Sequence, residues 1–181
     1  MRVGKRLECV LDQIDDGLDC VVDMGADHGF LTLKILETKK PKLVVATDIS
    51  EPSLNKSKQL ILKKGLEHQV EFVVSDGFKN LNNFSIDCVV IAGLGGREII
   101  KILTEKPASL KVKSLVLQPM QDTILLRQFL YQSGFVITYD KLIQDRNKYY
   151  SVIVAKISKK SQILPERNLF VGITDWLNPG K

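Results

Sequence analysis

The sequence predicts an α/β fold: an open, mostly parallel sheet of seven strands, with helices on both faces and an antiparallel last strand. Short apolar runs rich in β-branched residues alternate with longer segments of helical period. That alternation is typical of a parallel sheet flanked by helices. After the fifth run the pattern changes to helix, strand, short polar turn and strand, which predicts a closing antiparallel pair.

Seven apolar runs are predicted as strands: Cys20–Met24, Leu43–Thr47, Val70–Val74, Ile86–Ala92, Val112–Leu117, Phe135–Tyr139 and Tyr149–Ile157. Segments of helical period are predicted as helices: Arg2–Ile14, Gly29–Glu37, Pro52–Lys64, Arg97–Leu103 and Thr123–Gln132. Gly134 follows the last helix at a position typical of a helix stop. The polar segment Gln144–Lys148 suits the connection of a hairpin.

Composition limits the possible classes of protein. A chain of 181 residues with 44% hydrophobic and 26% charged residues is expected to form one compact domain with a full core. Three scattered cysteines suggest neither a disulfide framework nor a zinc site. No apolar run reaches the roughly 18 residues of a membrane span, so a soluble cytoplasmic protein is expected. The net charge of +5 is compatible with a polyanionic partner but is also common elsewhere.

The segment VVDMGADHGF is the richest in chemical groups. Its first strand leads directly into Asp23, Gly25, Asp27 and Gly29 before a helix begins. Ligands of open α/β sheets bind at the carboxyl ends of the strands, and Gly25 would let one approach the backbone. Two carboxylates would repel a pyrophosphate and attract a sulfonium or amino group. The loop therefore favours a ligand with a cationic centre, the alternative being an ordinary turn into a helix.

Acidic residues also follow the second and third predicted strands. Asp48, which precedes Ile49, stands where a carboxylate can accept both hydroxyls of a ribose. Asp76 and Gly77 stand at the equivalent place after the third strand, where a carboxylate can accept an adenine amino group. A helix cap and a simple turn are the structural alternatives. Three such turns in succession favour one nucleoside-binding crevice.

The fourth strand ends in IAGLGG, a glycine-rich surface against which a planar group can lie. Gly93 belongs to this segment. Many enzymes that methylate exocyclic amines carry an Asn-Pro-Pro-aromatic loop at this position, and this chain lacks it. If the cationic ligand is a methyl donor, a ring nitrogen is therefore favoured as the methyl acceptor.

Together the motifs KRLECV, DMGADHGFL, TDIS, SDGF, IAGLGG, VLQPM with LLRQFL, and NKYYSVIVA resemble the bacterial tRNA N1-adenine methyltransferases of the TrmK type. The resemblance spans about Lys5 to Ala155. It implies a Rossmann-like class I methyltransferase fold, S-adenosyl-L-methionine as cofactor, and methyl transfer to N1 of adenine 22 in the D arm of tRNA. The family pattern has serine and methionine where this chain has Ala26 and Leu94.

By the same resemblance, Asp27 is the expected catalytic acid. The residues expected around the cofactor are Asp23, Gly25, His28, Asp48, Ile49, Asp76, Gly77 and Gly93. Binding of the tRNA substrate is expected from Arg97, Gln118 and Arg127, and no metal is required. His28 can alternatively be a structural loop histidine.

N1 lies on the Watson–Crick edge, so a paired adenine must turn out of its helix before it reaches the cofactor. Recognition of tRNA is then expected to depend on shape and on backbone contacts. The candidate phosphate contacts are Lys5, Arg6, Arg97, Arg127, Arg146 and Lys148, with Tyr149 and Tyr150 either stacking or packing.

Residues 1–160 are expected to form the S-adenosyl-L-methionine-dependent methyltransferase domain. Residues 161–181 are expected to begin a helical second domain that the family carries and that is absent or truncated here. The chain is expected to act as a monomer. The alternatives are methylation of another RNA or of a small metabolite, and a cofactor-binding module without catalysis.

Overall fold

A computed structural model describes residues 3–157 and contains a single seven-stranded sheet in that range. The strands are β1 (Cys20–Met24), β2 (Leu43–Asp48), β3 (Val70–Val74), β4 (Ile86–Leu94), β5 (Val112–Pro119), β6 (Phe135–Asp145) and β7 (Lys148–Ile157). Their spatial order is β3-β2-β1-β4-β5-β7-β6. Of the seven strands, β7 alone runs opposite in direction to the others. The predicted architecture is confirmed.

Helices cover both faces of the sheet. They are α1 (Lys5–Asp12), α2 (Phe30–Lys39), α3 (Glu51–Leu62), α4 (Gly96–Thr104) and α5 (Thr123–Gln132). Alternate side chains of a strand point to opposite faces, so Val21 of β1 packs with α1 and α2 while Val22 packs with α4 and α5. Within residues 3–157, no helix has the length and apolarity needed to cross a membrane.

Local sequence explains how α2 and α3 begin. Ser50 caps α3 by accepting a hydrogen bond from the backbone N–H of Ser53 at 3.3 Å. Gly29 precedes α2 with a φ of 77°. A Cβ there would lie 2.9 Å from the Cα of Ser57 in α3. Glycine is required because it combines the left-handed conformation with this close helix contact.

The hairpin between β6 and β7 is tighter than the sequence suggested. Backbone pairing continues to Asp145 and Lys148, which leaves only residues 146 and 147 in the turn. The predicted connection of Gln144–Lys148 was therefore too long. Polar side chains do not interrupt pairing, because the ladder uses backbone groups and both strands can turn these side chains to solvent.

The structure also corrects the expectation that Arg127 contacts the substrate. Arg127 is only 3% exposed. Its Nε and Nη2 donate to the two carboxylate oxygens of Asp140 at 2.7 and 2.9 Å, and Nη2 also donates to Ser151 Oγ at 3.2 Å. This bidentate pair joins α5 to β6 and β7, so Arg127 has a structural role.

Replacing Arg127 with methionine is expected to lower the free energy of unfolding by about 3–5 kcal/mol, because it leaves the Asp140 carboxylate buried without its counter-ion. The paired variant Arg127→Met/Asp140→Leu is expected to lose less. Urea denaturation measures both. Lys58→Met, at an exposed position of α3, is the control. A single variant no less stable than this control would contradict the structural role.

Candidate active site

A cavity of about 290 Å³ opens at the carboxyl ends of the parallel strands. Its wall contains five of the residues predicted to hold a nucleoside cofactor: Gly25, Asp48, Ile49, Asp76 and Gly77. Leu94 of β4 and Glu98, Lys101 and Ile102 of α4 complete one side. The volume is near the lower end of small-molecule sites, roughly 300 Å³. The cavity therefore lies where the sheet topology predicts a ligand.

The end of β2 holds the loops on both sides of it. The carbonyl of Thr47 accepts the N–H groups of Gly25 and Ala26, both at 2.8 Å. Asp48 Oδ2 accepts the N–H of Asp27 at 3.1 Å, and the Asp48 carbonyl accepts the N–H of Ser75 at 2.9 Å. The loops after β1 and β3 are thus fixed against β2 through their backbone N–H groups.

Asp27 and His28 form a hydrogen-bonded pair on the loop after β1. Asp27 Oδ2 lies 2.6 Å from His28 Nδ1, and the side chains are 64% and 47% exposed. Asp27 has a φ of 46°, in the left-handed region that non-glycine residues seldom adopt. Asp27 and His28 do not line the cavity, but the N–H bond to Asp48 places Asp27 beside it. An exposed carboxylate there can accept a hydrogen bond or a proton from an incoming substrate.

Asp76 is suited to remain an acceptor. Lys79 Nζ donates to its carboxylate at 2.7 Å, and this bond lowers the pKa of Asp76 below its usual value. The group is therefore ionised near neutral pH. An ionised carboxylate in the cavity wall can accept a hydrogen bond from an amino group of a ligand.

Comparisons with known proteins agree with this geometry. A methyltransferase-domain family model matches residues 3–153. A predicted tRNA methyltransferase of Mycoplasma genitalium is 35% identical over 154 residues, which are 84% of this chain and 68% of that protein. The tRNA (adenine(22)-N(1))-methyltransferase of Bacillus subtilis is 26% identical over 174 residues, 96% of this chain and 73% of that protein. The chain belongs to the TrmK-type family of methyltransferases.

Solved structures show the same relationship. The TrmK of M. capricolum in complex with S-adenosyl-homocysteine superposes with a TM-score of 0.85 at 26% identity, covering 95% of this chain and 76% of that one. A Streptococcus pneumoniae protein in complex with S-adenosyl-L-methionine gives a TM-score of 0.89 at 25% identity, covering 98% and 84%. The TrmK-type fold of the chain is therefore matched nearly throughout.

The residues present fit the cofactor of a TrmK-type enzyme. Asp48 keeps lone pairs beyond those that accept the N–H groups of Asp27 and Ser50, so it can also accept ribose hydroxyls. Gly93 lies at a bulge of β4, and a Cβ there would meet no atom within 4 Å. A planar or methylene group can approach the backbone at that point. Among residues 3–157, no group of three or more His, Cys, Asp or Glu side chains could hold a metal ion.

Phe30 is a candidate site residue to which the sequence analysis gave no role. Its ring is 42% exposed at the start of α2 and is stacked on His28, with centroids 6.3 Å apart and planes at 14°. The sequence analysis included Phe30 only within the predicted helix Gly29–Glu37. The helical period contained the signal, because Phe30 shares a face with Lys34 and Glu37. An aromatic ring on that polar face, beside Asp27, can stack on a base.

The residues predicted to bind substrate occupy different environments. Arg97 is exposed and can therefore contact a substrate, although its Nε also lies 3.4 Å from Asp122 Oδ2. Gln118 is fully buried. It accepts a hydrogen bond from Arg6 Nη1 and donates to the Pro119 carbonyl at 2.8 Å. The expected direct contact of Gln118 with substrate is therefore corrected to a role in positioning α1.

Asp23 contacts a helix, and it does not contribute to the cavity wall. Its side chain is 2% exposed and accepts a hydrogen bond from Thr32 Oγ1 in α2 at 2.6 Å. Burial raises the pKa of Asp23 from 3.8 to about 6. The predicted cofactor contact of Asp23 stays a prediction, and the structure adds a contact that ties β1 to the first turn of α2.

This raised pKa predicts a pH-dependent stability. Because the folded chain holds the Asp23 proton more tightly than the unfolded chain, the contribution of Asp23 to stability falls as pH rises from about 4 to about 6. Asp23→Asn removes the titration. The free energy of unfolding of the variant, relative to that of the unsubstituted chain, should therefore increase over that pH range. Urea denaturation at a series of pH values measures both. Parallel pH profiles of the two chains would contradict the assignment.

Proposed function

We propose that the chain transfers the methyl group of S-adenosyl-L-methionine to N1 of adenine 22 in tRNA. The relative from Bacillus subtilis carries that activity in its name, and a neighbour of the same fold binds S-adenosyl-L-methionine. The observation that carries the proposal is the cavity at the ends of β1 to β4, with Asp48 and Asp76 in its wall and Asp27 at its side. Acids at these positions suit a nucleoside that bears a cationic sulfur.

The bound cofactor supplies an electrophilic methyl group on a positively charged sulfur. Asp48 holds the ribose hydroxyls, and Asp76, ionised beside Lys79, holds the adenine amino group. Gly25, Gly77 and Gly93 let the backbone approach, and Ile49 presents an apolar surface to the adenine ring. Asp23 acts from behind this wall by fixing β1 to α2.

Asp27 faces the acceptor base. N1 attack places positive charge on the adenine ring, and a carboxylate next to the amino group stabilises that charge or accepts the proton that leaves it. His28 holds the Asp27 carboxylate through Nδ1 at 2.6 Å. Phe30 stacks on His28 and offers its other face to a base that has turned out of the helix. Arg97 is placed to contact the RNA backbone.

The proposal includes the setting of the reaction. The chain acts in the cytoplasm, where its tRNA substrate is found, and as a monomer. We assign residues 1–160 to the methyltransferase domain and residues 161–181, which lie outside the described residues, to a C-terminal extension.

The first test is methyl transfer from labelled S-adenosyl-L-methionine to an unmodified tRNA transcript, with the product mapped by nucleoside mass spectrometry. Asp27→Asn should lower kcat by about 10²- to 10⁴-fold, the contribution typical of a general acid or base. Binding of the cofactor should change little, because Asp27 contacts Asp48 through its backbone N–H, which the substitution retains. Asp16→Asn, another exposed carboxylate, is the control.

Two outcomes would contradict the proposal. Cofactor binding without any N1-methyladenosine in tRNA would mean that the acceptor is a different RNA or a small molecule. Equal activity of the Asp27 and Asp16 variants would remove Asp27 from the reaction.

Phe30 gives a second test. Phe30→Ala should raise the KM for tRNA by about tenfold, because stacking of a base on an aromatic ring contributes about 1–3 kcal/mol. Phe30→Tyr keeps the ring and should retain a KM close to that of the unsubstituted chain. If the tyrosine variant loses as much as the alanine variant, stacking is not the function of this residue.

A further inference from the structure

A second recess lies at the same edge of the sheet as the cofactor cavity, and the proposed reaction does not use it. A cavity of about 310 Å³ is lined by Gly4, Arg6, Leu7, Asp145, Arg146 and Tyr150. A neighbouring cavity of about 390 Å³ continues along the turn between β6 and β7, over residues 145–148 and Tyr150. We call the two together the hairpin cleft.

The hairpin cleft carries an excess of positive charge. Arg6, Arg146 and Lys148 line it against one carboxylate, Asp145, and Lys5 precedes Arg6 in the chain. That carboxylate is engaged, since its Oδ2 accepts the backbone N–H of Arg6 at 3.3 Å. Within residues 3–157, Lys5, Arg146 and Lys148 take part in no ion pair. Unpaired, exposed cations around a recess favour a polyanionic ligand.

The wall of the hairpin cleft is held in place from inside the protein. Arg6 Nη1 donates to the side-chain oxygen of Gln118, which is fully buried at the end of β5. The Arg6 guanidinium also lies over the Tyr150 ring, 5.6 Å from its centroid. Arg6 therefore joins α1, β5 and β7. A binding surface whose side chains are fixed beforehand loses less entropy when its ligand arrives.

The hairpin cleft is linked to the proposed transfer site through the end of β5. Gln118 is followed by Pro119 and Met120, and the Met120 N–H donates to the carbonyl of Leu94 at 2.8 Å. Leu94 belongs to the wall of the cofactor cavity. β4 and β7 are two strand spacings apart, about 10 Å across the sheet. An RNA strand whose base enters at β4 can therefore reach the hairpin cleft with its backbone.

We propose that the hairpin cleft binds the sugar–phosphate backbone of the tRNA beside the target adenine, with Arg146 and Lys148 contacting phosphates. The identity of this RNA rests on the proposed function. Tyr150 lines both cavities, whereas Tyr149, its neighbour on β7, points to the other face of the hairpin. The cleft serves affinity and orientation, so its cations take no part in the methyl transfer itself.

The test uses the paired variant Arg146→Asn/Lys148→Gln of the 181-residue chain. Asparagine is chosen because Arg146 has a φ of 57°, a conformation that asparagine tolerates. The control Lys42→Gln/Lys111→Gln removes the same charge from the opposite edge of the sheet, before β2 and β5. Thermal melting and cofactor binding should be unchanged in both, which shows that they fold.

Binding of an unmodified tRNA transcript is then measured at several salt concentrations. The dependence of log affinity on log salt concentration should become shallower by about 2 in the hairpin variant, because each lost phosphate contact removes about 1. In the control the slope should stay the same. The KM for tRNA should rise in the hairpin variant while kcat at saturating tRNA is retained.

Equal slopes and equal KM values in the two variants would overturn the inference, even if the unsubstituted chain methylates tRNA. Failure of the unsubstituted chain to bind tRNA would overturn it as well. If the chain binds tRNA with the expected change of slope but transfers no methyl group, the hairpin cleft stands and the proposed function is wrong.

Discussion

The arrangement of the active site depends on the end of β2. The Thr47 carbonyl and the Asp48 carboxylate hold the loop after β1, and the Asp48 backbone carbonyl holds the start of the loop after β3. Parallel strands bring these loops to one edge, but they do not by themselves fix the distance between them. Asp48 does so while keeping acceptor capacity for a ligand. The same residue thus organises the cavity and belongs to its wall.

This arrangement has an electrostatic cost, because several carboxylates converge in a small volume. The structure limits the cost in different ways at each position. Asp76 is ionised beside Lys79, Asp27 is exposed to solvent, and Asp23 is buried with its pKa raised to about 6. Pairing with Lys79 reduces the repulsion at Asp76 and solvent screens it at Asp27, whereas the raised pKa of Asp23 reflects chiefly the cost of its burial. A ligand with a cationic centre reduces it further, which favours binding of such a ligand over a neutral one.

The order of helices and strands along the chain and the acids that follow β1, β2 and β3 could be predicted from the sequence, because both depend on local patterns. It was insufficient where a side chain finds its partner far along the chain. Gln118 is buried by Arg6, 112 residues away, and Arg127 is neutralised by Asp140 across a helix–strand contact. Nothing local distinguishes such residues from exposed ones. The role of Phe30 was overlooked for another reason: an apolar residue in a helix is usually buried, whereas Phe30 lies on the polar face of α2.

The buried position of Gln118 connects the two recesses of the sheet edge. A polar side chain is costly to bury unless its hydrogen bonds are satisfied, and here Arg6 and Pro119 satisfy them. The same bonds fix α1 to the end of β5, next to the segment that contacts Leu94 in the cofactor cavity. The hairpin cleft, proposed to bind RNA, is therefore held at a fixed distance from the cofactor cavity. Such a fixed relation is what transfer to a single ring nitrogen requires, because misplacement by about 1 Å can reduce the rate by about 10²-fold.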